Sequence, residues 1–243
     1  MIRAWILGFL KTFKWGKTSV VHRGYIINLG LMNYGEAWDL QHHLWSKRVK
    51  EELPDLLLIL EHPHVITLGK RGNQTHLVAS PEVLKEMKIP LFHVERGGDI
   101  TYHGPGQMVV YPILNLKEYG YRLIRYIDQL EGIILRVLDD FGIEGKRDPL
   151  NRGVWVDQEK IASIGVAIKR WVSFHGFSLN YQTDLRYFDL IHPCGLKGTK
   201  MTTMEMALGE KISKESLRER ILFHFKQIFL RDWVEKTLGD IRC

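Results

Sequence analysis

The chain has 243 residues, of which 45% are hydrophobic and 26% charged, with a formal net charge of +6. This is an ordinary globular composition, long enough to bury a sizeable core in one large α/β domain or two small ones. Only two cysteines occur, Cys194 and Cys243, so a disulfide framework is excluded and a reducing compartment fits. No C-x-x-C pair offers a thiolate metal site, and no apolar run reaches the about 18 residues that span a bilayer. The positive charge suits nucleic acid, an anionic membrane or an acidic protein partner. It does not choose among them, and it is spread along the chain without the Lys/Arg blocks that usually mark a nucleic-acid tail.

Residues 1–23 hold no acid but carry Arg3, Lys11, Lys14, Lys17 and Arg23 among Trp5, Phe9, Phe13 and Trp15. A transit peptide, an interfacial amphipathic helix and a non-essential extension all fit, the extension best. With no linker or repeat downstream, residues 24–243 read as a single domain. Gly24 to Leu29 reads as a strand, then a helix opens at Asn33 and carries Ala37, Leu40, Leu44, Trp45 and Val49 at helical spacing until Pro54. Leu56 to Leu60 has the continuous apolar character of a strand covered on both faces, and Val65 to Leu68 reads as its neighbour after the His62–Pro63–His64 turn. Ser80–Pro81–Glu82 starts a short helix to Met87, and Leu91 to Val94 is a strand that runs into a glycine-rich loop. Met108 to Leu114 returns as a strand. Arg122 to Phe141 carries the clearest amphipathic stripe. Val154 to Val156 and Ile161 to Ile168 bracket a hairpin tip that contains Lys160, and Phe174 to Leu179 extends the meander. A last helix runs from Ser213 to about Phe229. Strands grouped with helices at the flanks indicate an α+β, mixed α/β architecture.

Three segments hold chemistry. From Arg96 to Gln107, four glycines and a proline allow close approach of backbone to a ligand. Backbone N–H groups there suit an oxyanion or carbonyl, Arg96 suits an anion, and Thr101, Tyr102, His103 and Gln107 offer hydrogen bonds; a plain connecting loop is the alternative. His192-Pro193-Cys194-Gly195 places a thiol on a turn, where it is either inert or a nucleophile. Lys160 at a hairpin tip is either a solvated surface charge or, if it meets Cys194 in space, its activator. His62 and His64 are two residues apart with no third ligand evident, so a metal site is not expected. His42 and His43 read as surface residues, and Ser163 and Ser178 lack a nucleophile-elbow context.

Together these segments resemble the lipoyl(octanoyl) transferase family. Its signature, Arg-Gly-Gly, two variable residues, Thr, an aromatic residue, His, two variable residues, Gly or His, Gln, and a tyrosine four further on, is met from Arg96 to Gln107 and Tyr111. Lys160-Ile-Ala-Ser-Ile-Gly165, Ser173-Phe-His-Gly-Phe-Ser-Leu-Asn180 and Pro193-Cys-Gly195 also match, and the likeness spans roughly Tyr25 to Glu205 in the same order. The resemblance implies the fold shared by biotin and lipoate protein ligases, a mixed sheet flanked by helices with a smaller C-terminal extension. It implies a catalytic pair, Cys194 as acyl-thioester nucleophile and Lys160 lowering its pKa and moving a proton. It also implies acyl-binding segments at Arg96, Gly97, Gly98, Asp99, Ile100, Thr101, Tyr102 and His103, at Ser163, Ile164 and Gly165, and at Gly176, Phe177 and Ser178. The implied donor is octanoyl-acyl carrier protein. The implied acceptors are apo lipoyl domains, those of 2-oxoacid dehydrogenase E2 subunits and the glycine cleavage H protein. No ATP, metal or other cofactor is expected, and neither nucleic acid nor stable membrane insertion. A cytoplasmic monomer follows, or a mitochondrial one if the N-terminus is a transit peptide. Cys243 matches nothing in the family pattern.

Overall fold

The structure, a computed structural model, describes residues 22–148, 151–195 and 198–241. Nearly all of the basic N-terminal segment, and Cys243, lie outside them. The described elements are, in order, β1 (Arg23–Leu31), α1 (Tyr34–Val49), β2 (Asp55–Glu61), β3 (Val65–Leu68), α2 (Pro81–Glu86), β4 (Leu91–His93), β5 (Ile100–His103), β6 (Gln107–Ile113), α3 (Leu123–Asp140), β7 (Lys146–Arg147), β8 (Val154–Val156), β9 (Glu159–Lys169), β10 (Val172–Asn180), α4 (Met204–Leu208), α5 (Lys214–Ile228) and β11 (Asp232–Lys236). Eight strands form one sheet in the order β11-β1-β2-β6-β10-β9-β8-β7, and β4-β3-β5 form a second. In the large sheet β1 runs parallel to both β11 and β2, and the remaining pairs are antiparallel.

The apolar run of β2 is buried at every position because both faces of the large sheet are covered. Leu57 and Ile59 join a core with Leu130, Ile133, Ile134 and Val137 of α3 and Leu217, Ile221 and Phe225 of α5. Leu56, Leu58 and Leu60 face the other way, into a core with Ala37 and Leu44 of α1. Full burial of such a side chain stabilises by about 1.5–3 kcal/mol, so these two layers dominate the fold. Local signals set the ends. The Ser80 hydroxyl accepts from Val83 N at 3.4 Å and the Ser213 hydroxyl from Ser216 N at 3.3 Å, capping α2 and α5. Asn33 is the N-cap residue of α1, but its side chain makes no cap hydrogen bond and reaches Glu36 instead.

Four expectations need correction. Val65 to Leu68 is not the neighbour of β2 but the centre of the small sheet, between β4 and β5. A short apolar run reports burial and does not say which sheet supplies it. The glycine-rich stretch is not all loop, because Ile100–His103 forms β5 inside it. Lys160 is not a solvated tip: it lies one residue inside β9 and is 1% exposed. Its backbone is bracketed by the 200–202 segment, Lys160 N donating to Lys200 O at 2.9 Å and Thr202 N to Lys160 O at 3.0 Å. Finally, β11 was not anticipated. It joins the large sheet beside β1, so the C-terminal part extends the main sheet.

Candidate active site

Two of the acyl-binding segments expected from sequence are register partners. On β9 and β10, Ser163 pairs with Ser178, Ile164 with Phe177 and Gly165 with Gly176. The glycines are there for clearance. A Cβ on Gly165 would stand 2.9 Å from Arg96 Cδ and 3.1 Å from Gly97 O, and one on Gly176 would run into the Val110 carbonyl of β6. The glycine-rich loop therefore lies directly on the sheet, with Gly97 N donating to Val166 O at 2.8 Å. Its other side is stitched to the 69–71 segment by Gly69 N to Asp99 O, Lys70 N to Arg96 O and Arg71 N to Gly98 O.

Between loop and sheet is a narrow pocket of about 50 Å³. Arg96, Gly98, Asp99, Ile100, Thr101, His103, Ser163, Ile164, Gly165, Gly176, Phe177 and Ser178 line it, joined by Tyr34, Tyr111 and His175. Tyr102 is absent from this lining. The pleat of β5 turns its ring into the core of the small sheet, with Ile66, Leu68 and Phe188, where its hydroxyl is hydrogen-bonded to His64 Nδ1 at 2.7 Å. Gly97 also stands apart. It lines the adjoining groove of about 300 Å³ that contains Lys160, Asn151, Arg152, Leu123 and Arg71. Gly98, Asp99, Ile164 and Gly165 line both spaces, so pocket and groove share one wall.

Arg96 is tied to its own loop and to β3. Its Nε and Nη2 donate to Thr67 Oγ1, Nη2 also to Thr67 O at 2.7 Å, and Nη1 to Gly97 O at 3.1 Å, so it pins the loop to β3. The Gly97 and Ile100 amides are engaged too, the latter by Asp99 Oδ1 at 2.7 Å. A hydrogen-bonded network of neutral imidazoles lies at and behind the Tyr111 and His103 side of the pocket. His62 donates from Nδ1 to Met32 O and accepts at Nε2 from the Tyr111 hydroxyl, both at 2.8 Å. His103 donates from Nδ1 to Gln107 Oε1 at 2.6 Å. Gln107 passes the chain on through Nε2 to Asn180 Oδ1 at 2.9 Å, and Asn180 Nδ2 to Thr202 O at 3.1 Å, reaching the segment that brackets Lys160. Burial drives the His62 pKa down to about 4 and that of His103 down to about 3. His175 is lowered by burial as well, its Nε2 standing 3.7 Å from Glu95 Oε2. Burial raises the Tyr34 hydroxyl, which has no hydrogen-bond partner among the described residues.

The catalytic pair expected from sequence sits at the edge of this arrangement. Lys160 donates from Nζ to Arg152 O at 2.9 Å and lies 5.4 Å from the centre of the Trp155 ring. Gly153, at φ +130°, leaves room for that side chain: a Cβ there would be 2.8 Å from Lys160 Cε. Pro193–Gly195 forms a single 3₁₀ turn. The Cys194 side chain, and with it the expected contact with Lys160, lies outside the described part of the structure. The turn itself is fixed by groups that sequence reading missed. His192 N donates to His76 O at 2.7 Å, and His76 donates from Nδ1 to Asp99 Oδ2 at 2.7 Å. A side chain on Gly195, at φ +73°, would collide with both His76 and Asp99. Thus Asp99 joins the glycine-rich loop, the cysteine turn and the Lys160 groove. No spacing in the sequence announces His76, because its partner is 23 residues away. Among the described residues no group of three or more His, Cys, Asp or Glu could hold a metal ion.

Against known proteins, a family model described as the lipoyl protein ligase A/B catalytic domain matches residues 33–226. An octanoyltransferase of Syntrophobacter fumaroxidans is 51% identical over 224 residues, covering 92% of this chain and 98% of that protein. The fold is similar to that of a bipartite lipoate protein ligase from Thermoplasma acidophilum, solved as part of a system with its E2 lipoyl domain. That likeness has a TM-score of 0.69 at 15% identity and covers 89% of this chain and 88% of the other. It is also similar to the biotin protein ligase of Aquifex aeolicus in complex with biotin and ATP, at a TM-score of 0.51 and 13% identity, covering 84% and 69%. The shared frame is the α+β sheet flanked by helices expected from the sequence, and the chain belongs to the octanoyltransferase family, acyltransferases built on the lipoyl protein ligase A/B catalytic domain.

Proposed function

We propose that the protein moves an octanoyl group from octanoyl-acyl carrier protein, through a thioester on Cys194, to the ε-amine of a specific lysine on apo lipoyl domains. The observation that carries this reading is the meeting of three parts at Asp99: the pocket wall, the cysteine turn and the groove of Lys160. In the first half, the Cys194 thiolate attacks the thioester carbonyl and the pantetheine thiol leaves with the proton. One thioester replaces another, so no activating nucleotide is needed. In the second half, the target amine attacks the acyl-Cys carbonyl, an amide forms, and Cys194 leaves as the thiol after taking a proton by way of Lys160. Amide formation from a thioester is downhill. Lys160 has its apolar stem buried and its nitrogen on a backbone carbonyl, which suits a group that stabilises a nearby thiolate and then relays a proton. Ile164 and Phe177 supply apolar lining for the chain, each buried methylene being worth about 0.8 kcal/mol. The same reading has the protein working as a cytoplasmic monomer without metal or ATP, on lipoyl domains of 2-oxoacid dehydrogenase E2 subunits and the glycine cleavage H protein.

Intact-mass analysis after mixing with octanoyl-carrier protein, followed by an apo lipoyl domain, separates the two halves in one sample. One octanoyl adduct on the wild type, none on Cys194→Ser and discharge to the lipoyl domain are expected. Adduct surviving that substitution would overturn the nucleophile. Loading of free octanoate that depends on ATP would overturn the transferase reading.

A further inference from the structure

Beside the Lys160 groove, and sharing Gly97, Leu123 and Val166 with it, runs a second groove of about 490 Å³ between the start of α3 and the β9–β10 turn. Nothing in the proposed chemistry uses it. Apolar side chains stand out around it, with Trp171 46% exposed, Leu123 51% and Ile124 65%. Cations surround them. Lys70, Arg122 and Arg170 line the groove and Arg71 lines the adjoining one, and none of the four has an acidic partner within 4 Å among the described residues. The one carboxylate in the lining, Glu95, is already engaged by His42 at 2.7 Å, Lys169 at 3.6 Å and the Trp38 indole at 3.0 Å.

Two details run against what local stability alone favours. Helix starts favour acids, yet the first turn of α3 has none and Arg122 occupies its N-cap, adding a cation to the positive end of the helix. The two-residue β9–β10 turn needs positive φ at both positions, where Asn-Gly is the usual solution. Here the pair is Arg170 at φ +50° and Trp171 at φ +67°, holding a cation and a large ring out from the sheet in a conformation that such residues rarely adopt.

We propose that this groove is the docking surface for the acyl carrier protein, its cations meeting acidic side chains and its apolar residues closing the centre of the contact. The inference rests on the donor assigned above and adds where that donor sits. Charge separates the donor from the acceptor. The carrier's prosthetic arm bears an anionic phosphodiester, which Lys70 and Arg71 attract as the thioester enters past Gly97 toward Lys160. The acceptor brings an ammonium group, which the same cations repel, so it approaches from another side.

The test uses full-length protein and the variants Arg122→Glu with Arg170→Glu, and separately Trp171→Ala. Acylation of Cys194 is timed with octanoyl-carrier protein and with octanoyl-phosphopantetheine, the arm without its protein. Discharge to an apo lipoyl domain is timed on acyl-enzyme made with the small donor. The charge-reversed variant is expected to lose at least roughly tenfold in kcat/KM for the carrier-bound donor and most of its salt dependence. Trp171→Ala is expected to lose less, and both variants to match the wild type with the small donor and in discharge. Equal losses on both donors, no loss on either, or a loss confined to discharge would overturn the docking site. A wild type that octanoyl-carrier protein does not acylate would instead remove the donor on which the inference stands.

Discussion

The two halves of the site are held by different means. Ser163 to Gly165 and Gly176 to Ser178 stand on β9 and β10 and pair residue for residue in one continuous ladder, while Lys160 lies beyond that ladder, paired with Trp155 across an irregular register and bridged to Met201. Arg96 to Asp99 and the Pro193–Gly195 turn stand on irregular chain, where scattered backbone bonds to Val166, the 69–71 segment and His76 are joined by side-chain ones, Arg96 on Thr67 and His76 on Asp99. The difference teaches a division of labour. The sheet fixes Ser163 to Gly165 and Gly176 to Ser178 through ladder bonds that no side-chain substitution removes. Asp99 and the Pro193–Gly195 turn lean in addition on a few replaceable side-chain contacts, so their placement is where substitution can shift the site without unfolding the protein.

Substitutions can break that contrast. Gly176→Ala attacks the sheet-borne half where a Cβ meets the Val110 carbonyl. It is expected to cost about 3 kcal/mol or to prevent folding, read by urea denaturation. Lys160→Met keeps the volume and the backbone pairing but removes the amine proposed to carry the proton, so transfer should fall by at least about 10²-fold while the far-UV spectrum is unchanged. Asp99→Ala attacks the loop-borne half, deleting the acceptor for His76, Asn73 N and Ile100 N. A loss of roughly tenfold in kcat with only about 1–3 kcal/mol of stability is expected, and a stability loss without a change in kcat would erase the division of labour.

A pH titration sharpens it further. His62 and His103 are held neutral in the fold, at about 4 and about 3, whereas unfolded histidines titrate near 6.5. Below pH 6.5 the unfolded chain therefore binds more protons than the native one. Their contribution to stability is fully present above 6.5 and is lost as pH falls toward 4 and then 3, by up to about 1.4 kcal/mol per pH unit for each histidine. Chemical denaturation between pH 7 and 4.5 should show this slope, and His62→Gln or His103→Gln should flatten it. Smallest of all, Arg186→Ala removes an exposed pair with Asp184 and should leave Tm and activity where they were.

Much of the fold was legible because periodicity reports burial. The stripe from Arg122 to Phe141 matches α3 with its caps at those two residues, and Leu56 to Leu60 reads as a two-sided strand because it is one. What stayed hidden depends on distant partners. The assignment of β3 to the small sheet and the pairing of β11 with β1 leave no local mark in composition. The site followed the same rule. The glycines and the Pro-Cys-Gly turn advertise close backbone approach, whereas the backbone of Lys160 is bracketed by residues 200–202, forty positions on, and the part of His76 comes only from its bond to Asp99. Tyr102, expected along the acyl-binding segment, packs its ring in the small-sheet core, because a motif gives residue identity and only the pleat decides which face each residue serves.

The relay from His103 through Gln107 and Asn180 to Thr202 has one more consequence, and it is spectroscopic. The imidazole N–H that His103 donates over 2.6 Å is buried and exchanges slowly with water, which gives a downfield proton resonance resolved from the amide envelope. One end of the relay touches the acyl pocket and the other the strand neighbour of Lys160. Filling of the pocket and a change at the lysine are therefore both expected to move the frequency of a single proton, without any label on substrate or partner.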